Sequence, residues 1–187
     1  SDVYKRQDEI EEMMKKHDNG ELIVEAQGRE MVLKYLESYG ETGLRFLYEF
    51  MTMNKIAKDK THAAKLLKKW ERQGFLEIIK EKKNGKVILK ARIPSGPEYY
   101  FLKLLEEMKQ EYATSEFYLW DIVNEWSKRE YPPVNLAEVE NFMNAGPRLR
   151  NMSEDIARSL AEKLAKKGLI ELIRDEYGLE KVRLVES

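Results

Sequence analysis

One stretch of this chain occurs twice without gaps: KWERQGFLEIIKE (Lys69 to Glu81) returns as KLAKKGLIELIRD (Lys163 to Asp175), 94 residues later. Gly74 falls on Gly168 and Glu77 on Glu171. The apolar pairs Phe75-Leu76 and Ile78-Ile79 fall on Leu169-Ile170 and Leu172-Ile173, and upstream Ala63 falls on Ala157 and Leu66 on Leu160. A duplicated supersecondary unit constrains a fold more than composition does, because whatever one copy builds the other must build too. Each copy reads as a helix, a glycine stop and a strand.

In the first copy Thr61 is the expected N-cap, its side-chain oxygen accepting from a free first-turn N–H. Ala63, Leu66, Leu67 and Trp70 then recur at helical spacing as one apolar stripe. Lys65, Lys68, Lys69 and Arg72 fall on the other side of the helix. Gly74 supplies a residue that tolerates positive φ just past the last turn. FLEIIKEKKNGKVILKARI then reads as two strands joined at Asn84-Gly85, the dipeptide that suits a two-residue hairpin turn. In the second copy Ser153 is the expected cap, Glu154 and Asp155 lie near the positive end of the helix, and Ile156, Ala157, Leu160 and Leu164 line one face. A second hairpin follows Gly168, turning near Glu176 to Gly178.

The remaining segments are read by the same rules. A marginal helix is expected over residues 8–19 and a short strand over Glu21 to Ala26. REMVLKYLESYG and GLRFLYEFMTMN are helices flanking Gly40-Glu41-Thr42-Gly43. Pro94-Ser95-Gly96-Pro97 breaks regular structure, and PEYYFLKLLEEMKQEY after it is an amphipathic helix through Tyr100, Phe101, Leu104, Leu105 and Met108. Ser115 is the expected cap of EFYLWDIVNEWSKR, and Asn135 that of a helix over 135–145 ended by Gly146-Pro147. The aromatic positions Tyr118, Trp120, Trp126 and Phe142 are expected in the core.

Helix, glycine, strand, polar turn and strand, preceded by a short helix, resembles the winged helix-turn-helix layout. KIAKDKTHAAKLLKKWERQGFLEII (Lys55 to Ile79) is similar to its second helix, recognition helix and first wing strand, and SEDIARSLAEKLAKKGLIELI (Ser153 to Ile173) is similar to the same region again. The resemblance implies a mostly helical α+β chain of two winged-helix domains in tandem. The first spans residues 8–94, with a basic recognition helix and wing. A linker covers 95–97, and a second, acidic domain covers 98–187 with the extra helix 135–145.

Charge is distributed unevenly along the 187 residues. Residues 1–53 hold 7 Lys+Arg against 12 Asp+Glu, residues 54–94 hold 13 against 4, and residues 95–187 hold 13 against 18. The central basic block has the asymmetry of a polyanion-binding segment. The chain has no Cys, which excludes disulfides, thiolate metal sites and cysteine nucleophiles, and a cytoplasmic location fits. It has no apolar run long enough to span a membrane. His17 and His62 lack the neighbours of a zinc site, Gly40-Glu41-Thr42-Gly43 lacks the lysine of a phosphate loop, and no Gly-x-Ser-x-Gly elbow occurs. A non-enzymatic role without cofactor or metal is therefore expected.

Placed in a major groove, the first recognition helix would present Lys58, Lys60, Thr61, His62, Lys65 and Lys69, with Lys82, Lys83 and Lys86 on the wing beside it. The first turns lack Arg, Asn and Gln, the side chains best suited to bidentate base contacts, so phosphate contacts and modest sequence specificity are expected. The second domain starts its helix with Ser153-Glu154-Asp155. It is read as a module for a protein partner or a homodimer, with Arg148, Arg150 and Arg158 as secondary DNA contacts. The resemblance implies a double-stranded DNA-binding protein of transcriptional regulation or replication initiation in a prokaryote. Two other readings stay open: a scaffold subunit of a multi-subunit complex, and the C-terminal part of a larger replication ATPase or initiator.

SDVYKRQ (Ser1 to Gln7) shares nothing with this logic. It resembles the in-frame translation of a transposase-end sequencing adapter, as found at the edges of assembled environmental sequences. It is expected to carry no function.

Overall fold

The computed structural model describes residues 21–185, so the expectations for residues 1–7 and 8–19 lie outside the described residues. The fold is mixed α+β, and the chain divides into two compact units. Leu76–Ile93 belongs with the residues up to Glu71, whereas Arg72–Phe75 belongs with the residues from Pro94 onward. Among the described residues no helix is long and apolar enough to cross a membrane.

In the first unit helix α1 (Glu25–Tyr39) leads through strand β1 (Thr42–Gly43) into helix α2 (Leu44–Met53). Helix α3 (Lys60–Gln73) and the strands β2 (Glu77–Lys83) and β3 (Lys86–Arg92) follow. The sheet order is β1-β3-β2, all antiparallel. Val32 and Leu36 from α1, Leu47 and Met51 from α2, and Leu67 and Trp70 from α3 are buried in its core. The connection from α2 to α3 passes so close to α1 that a Cβ on Gly28 would stand 2.7 Å from Ile56 Cγ2. Asn84 and Gly85 both adopt positive φ, 54° and 77°, which matches the twist of a two-residue hairpin to that of the strands it joins.

The second unit has the same element order. Helix α4 (Pro97–Tyr112), strand β4 (Glu116–Tyr118), helix α5 (Leu119–Lys128), helix α6 (Glu154–Lys166), and strands β7 (Ile170–Arg174) and β8 (Glu180–Leu184) form a sheet of order β4-β8-β7. Phe101, Leu104, Ile122, Ile156, Leu160 and Val182 are buried in its core. The one large difference is the connection before the third helix. Residues 54–59 serve in the first unit. Residues 129–153 serve in the second, where they contain the two-stranded ribbon β5 (Val134–Asn135) and β6 (Leu149–Arg150) and two 3-10 helices, Leu136–Glu138 and Glu140–Ala145.

Several sequence expectations are corrected. Glu21 to Ala26 is not a strand: α1 begins at Glu25, and before it Ile23 N–H makes one backbone bond, to Lys55 C=O at 2.9 Å. Ser115 does not cap a helix, because Glu116–Tyr118 pairs with β8 and α5 begins only at Leu119. The expected helix over 135–145 is two 3-10 turns, although Asn135 Oδ1 does accept from Ala137 N–H at 3.1 Å. Trp126 is buried as expected, but Trp120 is half exposed. Ser153 caps α6 as expected, its Oγ accepting from Ile156 N–H at 3.2 Å.

Candidate functional site

Helix α3 starts one step earlier than the sequence suggests. Asp59, not Thr61, caps it: Asp59 Oδ1 accepts from His62 N–H at 2.8 Å, and Asp59 C=O accepts from Ala63 N–H at 2.9 Å. Thr61 is thereby left exposed inside the first turn. His62 turns back on the connection, its Nδ1 accepting from Lys58 N–H at 2.9 Å, which leaves Nε2 as the N–H end of the ring.

The buried stripe Ala63, Leu66, Leu67 and Trp70 defines the outward direction of α3. At about 100° per residue, Thr61, Lys65 and Lys68 lie opposite it, and all three are exposed. Lys69 lies roughly 70° off that direction. It is half-buried, and its Nζ donates to both carboxylate oxygens of Glu25 on α1, at 2.9 and 3.0 Å. Lys69 therefore ties α3 to α1 and leaves the outward face to Lys65, Lys68 and, in the last turn, the exposed Arg72. The sequence reading did not place Lys68 in the site, although the same angular rule applied to the apolar stripe would have found it.

On the hairpin, register decides which lysines share a face. Directly paired residues project to the same side, so Lys83 and Lys86 stand together with the pairs Glu81–Ile88, Ile79–Lys90 and Glu77–Arg92. Closer to the base this face is neutralised. Lys90 bonds Glu81 at 2.6 Å, and Arg92 bonds Glu77 at 2.9 Å and Glu41 at 3.4 Å. The hydrogen bond from Lys90 holds the Glu81 carboxyl below its ordinary range and raises Lys90 in turn. The opposite face starts at the buried Ala91 and emerges near the tip as Lys80, Leu89, Lys82 and Val87, all exposed. Lys82 is thus on a different side from Lys83 and Lys86. Lys83 and Lys86 sit directly opposite each other, an arrangement of like charges that costs stability when nothing neutralises it. Among the described residues no carboxylate forms an ion pair with Lys58, Lys60, Lys65, Lys68, Lys80, Lys82, Lys83 or Lys86.

The corresponding face of the second unit is built differently. Through the repeat, Thr61, Lys65 and Lys68 correspond to Asp155, Ser159 and Glu162. Ser159 is buried, because the inserted segment lies over it. Asn141 Nδ2 donates to Ser159 Oγ at 3.1 Å and to Glu162 at 3.4 Å, and Lys166 pairs with Glu140 at 3.5 Å. Arg158 is committed internally, to Glu180 at 2.6 Å and Asp155 at 2.9 Å. At the hairpin tip Asp175 accepts from Tyr177 N–H, Leu179 N–H and the Tyr118 hydroxyl, each at 2.9 Å. Burial raises the Asp175 carboxyl, but these three bonds outweigh it and hold the group below its ordinary range. Arg148 and Arg150 are exposed on and beside β6.

Comparison with protein-family models, with curated proteins and with solved structures finds no match.

Proposed function

We propose that both units are winged-helix domains and that the first binds double-stranded DNA, chiefly through its phosphates, in transcriptional regulation or replication initiation. The observation that carries this reading is the concentration of cations without carboxylate partners on one helix face and one hairpin. Lys65 and Lys68 lie outward on α3, and Lys83 stands directly opposite Lys86 on the hairpin. Directly opposed lysines cost stability, and a bound polyanion would relieve that cost. In this reading the second domain does not enter a groove, which its insertion supports by covering Ser159 and placing Glu162 where the first domain has a lysine. It serves as a protein-docking module in this reading.

Phosphate contacts release counterions, so binding to a random duplex is expected to weaken steeply with salt. Replacing Lys65, Lys82 and Lys83 together by glutamine should lower affinity at all sequences and reduce the slope of log affinity against log salt by about 2–3. Lys68→Gln should weaken binding more than Lys69→Gln, since Lys69 is already held by Glu25. A salt series of mobility-shift measurements reads all of this. Salt-insensitive binding, an inert triple variant, or no retention of DNA at low salt alongside a stable protein partner would replace this reading with the scaffold role.

A further inference from the structure

Helix α2 is apolar on two sides. Leu44, Leu47 and Met51 face the core, while Phe46, Phe50 and Met53 line the opposite side, within about 60° of one another. Phe46 is 50% exposed and Met53 79% exposed. The tyrosines of α1 extend the patch. The Tyr35 ring lies 4.7 Å from Tyr39, 5.4 Å from Phe46 and 5.0 Å from Phe50 between centroids, and Tyr39 is 73% exposed. A helix with apolar residues on both sides, backed by exposed aromatics, has the composition of an interface core.

The charges beside the stripe indicate what covers it. Arg45 and Glu49 are both exposed, one turn apart on the same flank, and neither forms an ion pair among the described residues. A partner of a single charge sign would satisfy one of them and repel the other. A second copy of the same chain satisfies both. When two α2 helices pack antiparallel about a two-fold axis, a residue near one end of a flank meets the residue near the other end of the same flank. Arg45 then faces Glu49 of the second copy, and Glu49 faces its Arg45. We propose that this face of α1 and α2 is a homodimer interface, with Phe46 and Phe50 as its apolar centre, Met53 at its edge and two reciprocal Arg45–Glu49 pairs on its flank. The inference is independent of DNA binding, and its test contains no DNA.

The test is sedimentation equilibrium of the full chain over a concentration series. The wild type is expected to show a reversible monomer–dimer equilibrium. Arg45→Glu gives a flank with two acids, and Glu49→Arg a flank with two bases. Each variant alone should dimerise about tenfold more weakly, because two pairs turn repulsive at once. Mixed in equal amounts, the two variants should form a heterodimer at near wild-type strength. Phe46→Glu should abolish both homodimer and heterodimer. All these positions are exposed, and far-UV circular dichroism establishes that each variant folds. A wild type that stays monomeric up to millimolar concentration overturns the proposal, as does a dimer unaffected by either charge swap, or two swapped variants that fail to pair with each other.

Discussion

Trp70→Ala is expected to destabilise the first unit by about 3–5 kcal/mol, the largest effect of any single replacement in it. Trp70 is fully buried, on the same face of α3 as Ala63, Leu66 and Leu67. It is the largest side chain on that stripe, so alanine removes the most apolar area and leaves the largest void. A stability of 5–15 kcal/mol is usual for a whole domain, so a loss of this size consumes much of it. Trp70→Phe separates size from polarity. The indole Nε1 has no hydrogen-bond acceptor among the described residues, and a buried N–H without a partner costs about 1–3 kcal/mol. Phenylalanine removes that cost and leaves a smaller void, so the two effects offset and the net change should stay within about 1 kcal/mol. Urea denaturation, followed by circular dichroism, measures both. A Phe variant as damaged as the Ala variant would show that the N–H is satisfied in solution.

The elements that carry their own local signals were legible in the sequence, and those made by distant pairing were not. The stripe of Ala63, Leu66, Leu67 and Trp70, the Asn84-Gly85 turn and the Ser153 cap each rest on residues within a few positions of one another, and each forms as read. Strands β1 and β4 have two and three residues, too few for any alternation to register. They exist because Thr42 meets Ala91 and Phe117 meets Val182 across the sheets. Glu21 to Ala26 has the opposite defect, since its apolar run Leu22-Ile23-Val24 joins no sheet and its end winds into α1.

The candidate site shows the same division. Its lysines are visible in the charge balance, but their division into free and committed cations depends on contacts between elements. Lys69 is taken by Glu25, 44 residues away, and Lys90 by Glu81 across the hairpin. The contrast between the two units is also tertiary. The acids at the start of α6 are evident in the sequence, whereas the lid over Ser159 depends on Asn141, 18 residues earlier, on a 3-10 turn expected to be part of a helix. Asp59 took the capping role from Thr61 because its carboxylate stands three residues before His62, where an N–H of the first turn lacks a helical partner.

In the second unit, Arg129→Met is expected to cost about 2–3 kcal/mol at neutral pH and progressively less as the solution is acidified. Arg129 follows α5 and gathers three carboxylates. Its guanidinium donates to Glu107 at 3.2 Å, to Glu111 at 2.6 Å, and to Glu125. Burial lowers the Arg129 pKa, but the hydrogen bonds it donates to these carboxylates and their negative charge outweigh it, and the net shift is upward. Glu125 is itself buried and also accepts from the Tyr112 hydroxyl at 2.8 Å. That bond first, and Arg129 second, hold its carboxyl below its ordinary value of 4.5. A carboxylate with a depressed folded-state pKa contributes stability that is present above its unfolded value and is lost as pH falls through the folded one. Methionine keeps much of the arginine stem's packing but leaves three acids together with only the exposed Lys128, 3.6 Å from Glu125, as a cation. The figure sits below that for a fully buried pair because a fifth of the Arg129 side chain, 20%, remains exposed. Protonation relieves the repulsion in the variant while it removes the ion-pair stability of the wild type. The two stability curves should therefore converge below about pH 4. Glu125→Gln, which retains an acceptor for Tyr112 and removes one of the three negative charges, should cost only about 1 kcal/mol. Thermal denaturation of the three proteins from neutral pH to pH 3 distinguishes the outcomes. A gap between Arg129→Met and wild type that stays constant over that range would mean that Arg129 acts by packing, and its role as the counter-ion of the Glu107, Glu111 and Glu125 cluster would be lost.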